Sequence, residues 1–137
     1  ISVVSNVAPA AMSQLVALLA DNQREAAETL CHDISPLFGL VTVSTTEKTP
    51  FGPVTARFRN PVAIKALMSI LGLPSGGCRR PLGKMTRQGI DFVIETARKV
   101  QAANPAIFGP AAEFFNIDID RRLNDETIWE ELIYSGY

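Results

Sequence analysis

Covalent chemistry in this chain would have to come from four lysines, one histidine and two cysteines. A lysine amine of lowered pKa forms imines with carbonyl compounds, and a thiolate beside an imidazole attacks acyl carbon. Cys31 and His32 are neighbours in sequence. Successive helical residues point about 100° apart, so the two do not form a nucleophile–base pair, and no third group accompanies them. Lys48 falls in a turn and Lys84 in a loop. Lys99 lies on a solvated helix face, four residues after Glu95, a favourable i,i+4 pair. Lys65 alone has apolar surroundings of the kind that lower a pKa, yet it sits in a helix, where a structural role is expected. Arg79 and Arg80 could grip a carboxylate bidentately, with a loop ion pair or helix cap as the plainer role. Asp118, Asp120, Asp125 and Glu126 lack the glycine and the spacing of a calcium loop. One histidine and two unpatterned cysteines make no zinc set. The residues therefore predict no metal, no cofactor and no catalytic group within this chain.

The elements that would position these groups follow from patterning. The chain has 137 residues, 47% hydrophobic and 20% charged, with a formal net charge of -1. That is a globular composition with one ordinary core. No basic stripe exists to follow a phosphate backbone, so nucleic acid is excluded as a partner. No apolar run approaches the roughly 18–20 residues that cross a bilayer, so no membrane is expected either. The cysteines fit a reducing cytosol. The chain opens Ile1-Ser2-Val3-Val4 without a leader pattern, which is read as the interior of a larger protein.

Residues 1–4 form a β-branched run of the kind found in buried parallel strands. Pro9 then opens a helix whose stripe is Met12, Leu15, Val16 and Leu19, ending at Asp21-Asn22. A second helix spans residues 23–38 with Ala27, Leu30, Cys31, Ile34 and Leu37 on one face, kinked or ended by Pro36. Alternation at Val41, Val43, Val54, Ala56 and Phe58 about a Pro/Gly centre predicts a β-hairpin over residues 41–59. Asn60 is the expected N-cap of a third, nearly all-apolar helix that ends at Gly72. Such a helix should be buried or at a subunit contact. After a Gly/Pro-rich loop, Thr86 caps a long helix with the stripe Ile90, Val93, Ile94, Ala97 and Val100, ended by Asn104-Pro105. The tail is expected to be irregular up to Asn124-Asp125, where a short helix carries Ile128, Trp129, Leu132 and Ile133.

The string Ile1-Ser2-Val3-Val4-Ser5-Asn6-Val7-Ala8-Pro9 resembles the last barrel strand and following loop of the dihydrodipicolinate synthase / N-acetylneuraminate lyase family. Ser35-Pro36-Leu37-Phe38, then Asn60-Pro61-Val62-Ala63-Ile64-Lys65 with Leu71-Gly72-Leu73, then Arg79-Arg80-Pro81-Leu82 follow in family order, so the likeness covers residues 1–103. The resemblance implies an α/β fold: the C-terminal part of a (β/α)8 barrel, then a mostly helical domain, usually in a tetramer. Residues 1–20 would be the eighth βα unit, 21–104 the helical domain with 41–59 as a hairpin insertion, and 105–137 an extension. Members of the family make or break bonds of pyruvate-like 2-keto acids through a lysine imine, an electron sink. In this family the imine lysine and the proton-relay tyrosine lie on earlier strands, outside this chain. The carry-over is thus limited to the backbone carbonyl of Ile1, facing the bound keto acid at the C-terminal end of the strand, with Ser5 and Asn6 beside it in the loop. The implied role of the chain is to brace the barrel and support a homo-oligomer, with no cofactor. The rival reading is a free-standing helical self-association module. Residues 1–4 coiled, or packed within a self-sufficient helical globule, would overturn the barrel interpretation.

Overall fold

A computed structural model describes residues 2–135. Its elements are α1 (Pro9–Ala20), α2 (Arg24–Phe38), β1 (Thr42–Thr49), β2 (Gly52–Arg59), α3 (Val62–Leu71), α4 (Arg87–Ala103), α5 (Gly109–Phe115) and α6 (Ile119–Asn124), with 3-10 turns before α1, between α2 and β1, between α4 and α5, and after α6. The fold is α/β by content, mostly helical with one two-stranded antiparallel sheet. α4 is the axis: α2 and α3 pack on it, and α1 packs on α2. Its expected stripe is fully realised, with Ile90, Val93, Ile94, Ala97 and Val100 all buried. α3 buries Val62, Ala63, Ile64, Leu67, Ile70 and Leu71, as a helix so poor in polar residues requires.

The expected strand at the start is absent from the described residues: Val3–Asn6 is a 3-10 turn, and Ile1 lies outside them. With no neighbouring strand to pair with, the backbone groups close locally. The Val4 amide donates to Ser2 Oγ at 3.2 Å, and the Val7 and Ala8 amides donate to the Val4 carbonyl at 3.0 and 2.9 Å. Val4, Val7 and Ala8 are buried in the helical core. This is the outcome that counts against residues 2–4 as a barrel strand. The α1 stripe is also corrected. Ala11 is buried and Met12, Leu15 and Leu18 pack on the core, whereas Val16 and Leu19 are 63% and 58% exposed. α2 and the turn before α1 cover only one side of it. On α2, Cys31 faces solvent while Ala27, Leu30, Ile34 and Leu37 are buried.

The hairpin pairs Thr42 with Arg59 through Thr49 with Gly52, in continuous register. Val43 and Phe58 face the core, β1 lies against α4, and Glu47 anchors the pair. One Glu47 carboxylate oxygen accepts from the hydroxyls of Thr45 and Thr86, both at 2.6 Å. Thr86 is the N-cap of α4 as expected, accepting from the Gly89 amide at 3.2 Å. At Gly89 a Cβ would stand 2.9 Å from the Phe58 ring, so the helix has no room for one there.

Three further expectations change. The N-cap of α3 falls on Pro61 and has no side-chain hydrogen bond, so Asn60 is not the cap. Glu95 pairs with Arg98 at 3.0 Å and not with Lys99, because Arg98 is held in place by donating to the Leu123 carbonyl at 2.8 Å. The tail is structured well before Asn124, and the short helix expected after it is a pair of 3-10 turns, Glu126–Ile128 and Glu130–Leu132. Ile107, Phe108, Ile119, Leu123 and Trp129 enter the core. Arg122 donates to the carbonyls of Ile70 and Ser69 at 2.6 and 3.0 Å, closing the C-terminal end of α3. The Tyr134 amide donates to the Met85 carbonyl at 2.7 Å, beside a parallel bridge between Met85 and Ile133.

Candidate functional site

Of the three residues expected near a keto acid, Ile1 is outside the described residues. Ser5 and Asn6 lie together on the 3-10 turn, but their side chains are turned back onto it. Ser5 Oγ donates to the Ser2 carbonyl, and Asn6 Nδ2 donates to the Val3 carbonyl at 2.9 Å. They hold the turn shut. No other chemistry-bearing side chain is bonded to them among the described residues.

The lysines do not converge on a nucleophile–base site, and only Lys65 and Lys84 line a common cavity. Lys65 donates from Nζ to the Gly77 carbonyl at 2.8 Å, while its own backbone carbonyl accepts from Ser75 Oγ at 2.8 Å. It pins the Gly-rich loop to α3, the structural role expected for it. Lys48 and Lys99 are exposed. His32 Nδ1 lies 3.7 Å from Asp33 Oδ1, and Asp33 accepts from Asn104 Nδ2 at 3.0 Å. Among the described residues no group of three His, Cys, Asp or Glu could hold a metal ion.

The acidic residues of the tail are structural. Asp118 caps α6 by accepting from the Arg121 amide at 2.9 Å. Asp120 accepts from Gln101 at 3.4 Å. Glu126 pairs with Arg87, whose guanidinium lies 5.3 Å from the centroid of the Trp129 ring. Asp125 caps the following turn, and the Thr127 hydroxyl, then the Thr127 amide and the Arg121 charge, hold its carboxyl below its ordinary 3.8. A depressed folded-state pKa contributes stability that is present above the unfolded value and lost as pH falls through the folded one. The Glu126–Ile128 turn should therefore loosen on acidification below about pH 4, the unfolded carboxylate range. Hydrogen exchange at the Thr127 amide checks this. The protection of this amide, measured against its intrinsic exchange rate at each pH, should fall at low pH, and Asp125→Asn should remove that dependence.

One arrangement was not foreseen from the sequence. Arg80 and Lys84 lie with Lys65 around a cavity of about 350 Å³, floored by Val62, Ala66, Met85 and Leu132 and edged by Cys78. The loop fold brings them together, and nothing in the order of residues 76–84 signals it. Arg79 does not line this cavity.

What the described residues define is a helical domain whose reactive side chains mostly cap, pin or pair, with no assembled nucleophile–base constellation. Comparison with known proteins gives its kinship. The model of the "Dihydrodipicolinate synthetase family" matches residues 1–100, and the chain belongs to that family. It is similar to the 4-hydroxy-tetrahydrodipicolinate synthase of Methanococcus vannielii, 31% identical over 87 residues that make up 64% of this chain and 25% of that protein. It is also similar to the 4-hydroxy-tetrahydrodipicolinate synthase of Archaeoglobus fulgidus, 26% identical over 101 residues, 74% of this chain and 30% of that protein. The chain thus spans between a quarter and a third of these relatives' length. No solved structure matches it. No helix among the described residues is long and apolar enough to cross a membrane.

Proposed function

We propose that this chain is the C-terminal part of a pyruvate-type 2-keto-acid lyase or synthase that works through a lysine imine, and that it supplies no catalytic residue itself. The match of the family model over residues 1–100 carries the reading. Two features of the chain support the division of labour. Lys65, the lysine in the most apolar setting, is committed to the Gly77 carbonyl. Val16 and Leu19 leave an apolar face on α1, as expected of a helix that braces a larger body. In the parent protein α1 would be the last barrel helix, and the remainder a helical domain that supports a cytoplasmic homo-oligomer. The hairpin over 42–59 would be an insertion, and Ile1, Ser5 and Asn6 would border the keto-acid site.

The test is borohydride trapping with pyruvate, read by intact mass and peptide mapping. The expected result is no reduced pyruvyl adduct on Lys48, Lys65, Lys84 or Lys99, and an adduct on a lysine outside this chain in a full-length protein that contains it. An adduct on any of the four overturns the assignment. A second reading, a free-standing helical module, is favoured by the burial of Val4, Val7 and Ala8 in a core built from this chain alone. It would be preferred if a full-length protein containing the chain formed no adduct anywhere.

A further inference from the structure

We propose that the cleft between α3 and the loop over residues 73–86 binds a small organic phosphate, a phosphate monoester on an apolar body. This inference does not rest on the catalytic reading above. Two cavities adjoin here, of about 350 and 410 Å³, sharing Val62, Leu82, Gly83 and Lys84 in their linings. Lys65 and Arg80 line the first and Arg57 the second, while Lys84 lines both. No Asp or Glu lines either cavity. Among the described residues, Arg57, Arg80 and Lys84 take no part in any side-chain hydrogen bond or ion pair. Arg87, Arg98, Arg121 and Arg122 are each bonded to a carboxylate or a carbonyl, whereas Arg24, Arg59, Arg79, Lys48 and Lys99 share the free state of these three but line neither cavity. Glu47, which accepts from Thr86 at the edge of the second cavity, lines neither.

The chain has a net charge of only -1, with acids and bases in near balance. Four cations around two joined cavities without an acid is therefore a local imbalance. Like charges gathered in a concave, partly apolar wall raise the local positive potential and favour an anion of more than one charge. A phosphate monoester carries between one and two negative charges near neutral pH. The floor of Val62, Ala66, Met85 and Leu132 offers a water-shedding surface to whatever the phosphate is attached to. Gly76, Gly77 and Gly83 keep the rim free of side chains.

Cys78 edges the cleft and Cys31 lies exposed on α2, so alkylation by neutral iodoacetamide reads the site with an internal control. Phenyl phosphate, inorganic phosphate and benzyl alcohol serve as probes on the intact chain, with modification followed at each cysteine by peptide mass. Phenyl phosphate at about ten times its Kd should slow alkylation of Cys78 roughly tenfold by mass action, with Cys31 unaffected. Inorganic phosphate should protect less and benzyl alcohol not at all. Arg80→Gln and Lys84→Gln, both at exposed positions, should lose the protection. Arg79→Gln, which does not line the cleft, should keep it. Protection by benzyl alcohol equal to that by phenyl phosphate would show apolar binding without the cations. Equal protection by inorganic phosphate would show that the floor plays no part. Equal loss in Arg79→Gln and Arg80→Gln would reduce the effect to general surface charge. Each of these three results overturns the proposal, as does absence of protection in the unsubstituted chain.

Discussion

Phe108→Ala is expected to destabilise the chain by about 3–5 kcal/mol, the usual cost of emptying a fully buried aromatic site. Phe108 is among the largest side chains with no exposed surface, and it lies beyond the residues matched by the family model. Because domains of this size are stable by only about 5–15 kcal/mol, the loss would be visible as a large fall in the midpoint of urea or thermal unfolding. Phe114→Ala makes the comparison sharp. Its ring is 82% exposed in α5, so the same chemical change there should stay within about 0.5 kcal/mol. If the two variants unfolded alike, residues 105–135 would not belong to the core. If they differ as expected, the segment after α4 is a structural part of the domain.

Gly72→Ala should be the next most damaging of the substitutions considered, at about 1–3 kcal/mol, the cost of holding a non-glycine residue in a sparsely populated backbone region. Gly72 closes α3 with φ at 85°. There is a second reason, specific to this fold. A Cβ at position 72 would stand 2.9 Å from Arg122 Nε, the atom that donates to the Ile70 carbonyl at 2.6 Å. The methyl group would displace the guanidinium from the helix end, leaving the Ser69 and Ile70 carbonyls without that donor. A double-mutant cycle with Arg122→Met separates the two causes, since contacting residues couple by about 0.5–3 kcal/mol. Once Arg122 is gone, Gly72→Ala should cost less than it does alone. Strictly additive losses would mean that the strained dihedral is the whole effect.

What was legible in the sequence was what repeats. The stripe of α4, its Thr86 cap, the apolar girth of α3 and the period-2 runs around Pro50 each express a local rule that tertiary packing does not override. What was not legible depended on neighbours. Val3 and Val4 carry strand propensity, but a strand exists only as a pair, and here the amides fold onto Ser2 and Val4 instead. Val16 and Leu19 match a helical stripe, yet which arc of a helix is covered depends on the bodies beside it. The tail reads as irregular because its helices are six and seven residues long, too short for a period to show. Arg98 chose Glu95 over Lys99's expected claim on it because Leu123, distant in sequence, supplies a carbonyl. Of the candidate site, the resemblance located the family alone. The grouping of Lys65, Arg80 and Lys84 is a product of loop closure and had no signature of its own.

The hairpin has a mechanical consequence. Its root is held by Val43 and Phe58 in the core, Glu47 nearer the turn accepts from Thr86, and Phe51 at the tip is 98% exposed. It is a cantilever, fixed at one end and loaded, if at all, at the other. A push on its tip is delivered to the first turn of α4 by two routes, the hydrogen bond from Thr86 to Glu47 and the packing of the Phe58 ring against Gly89.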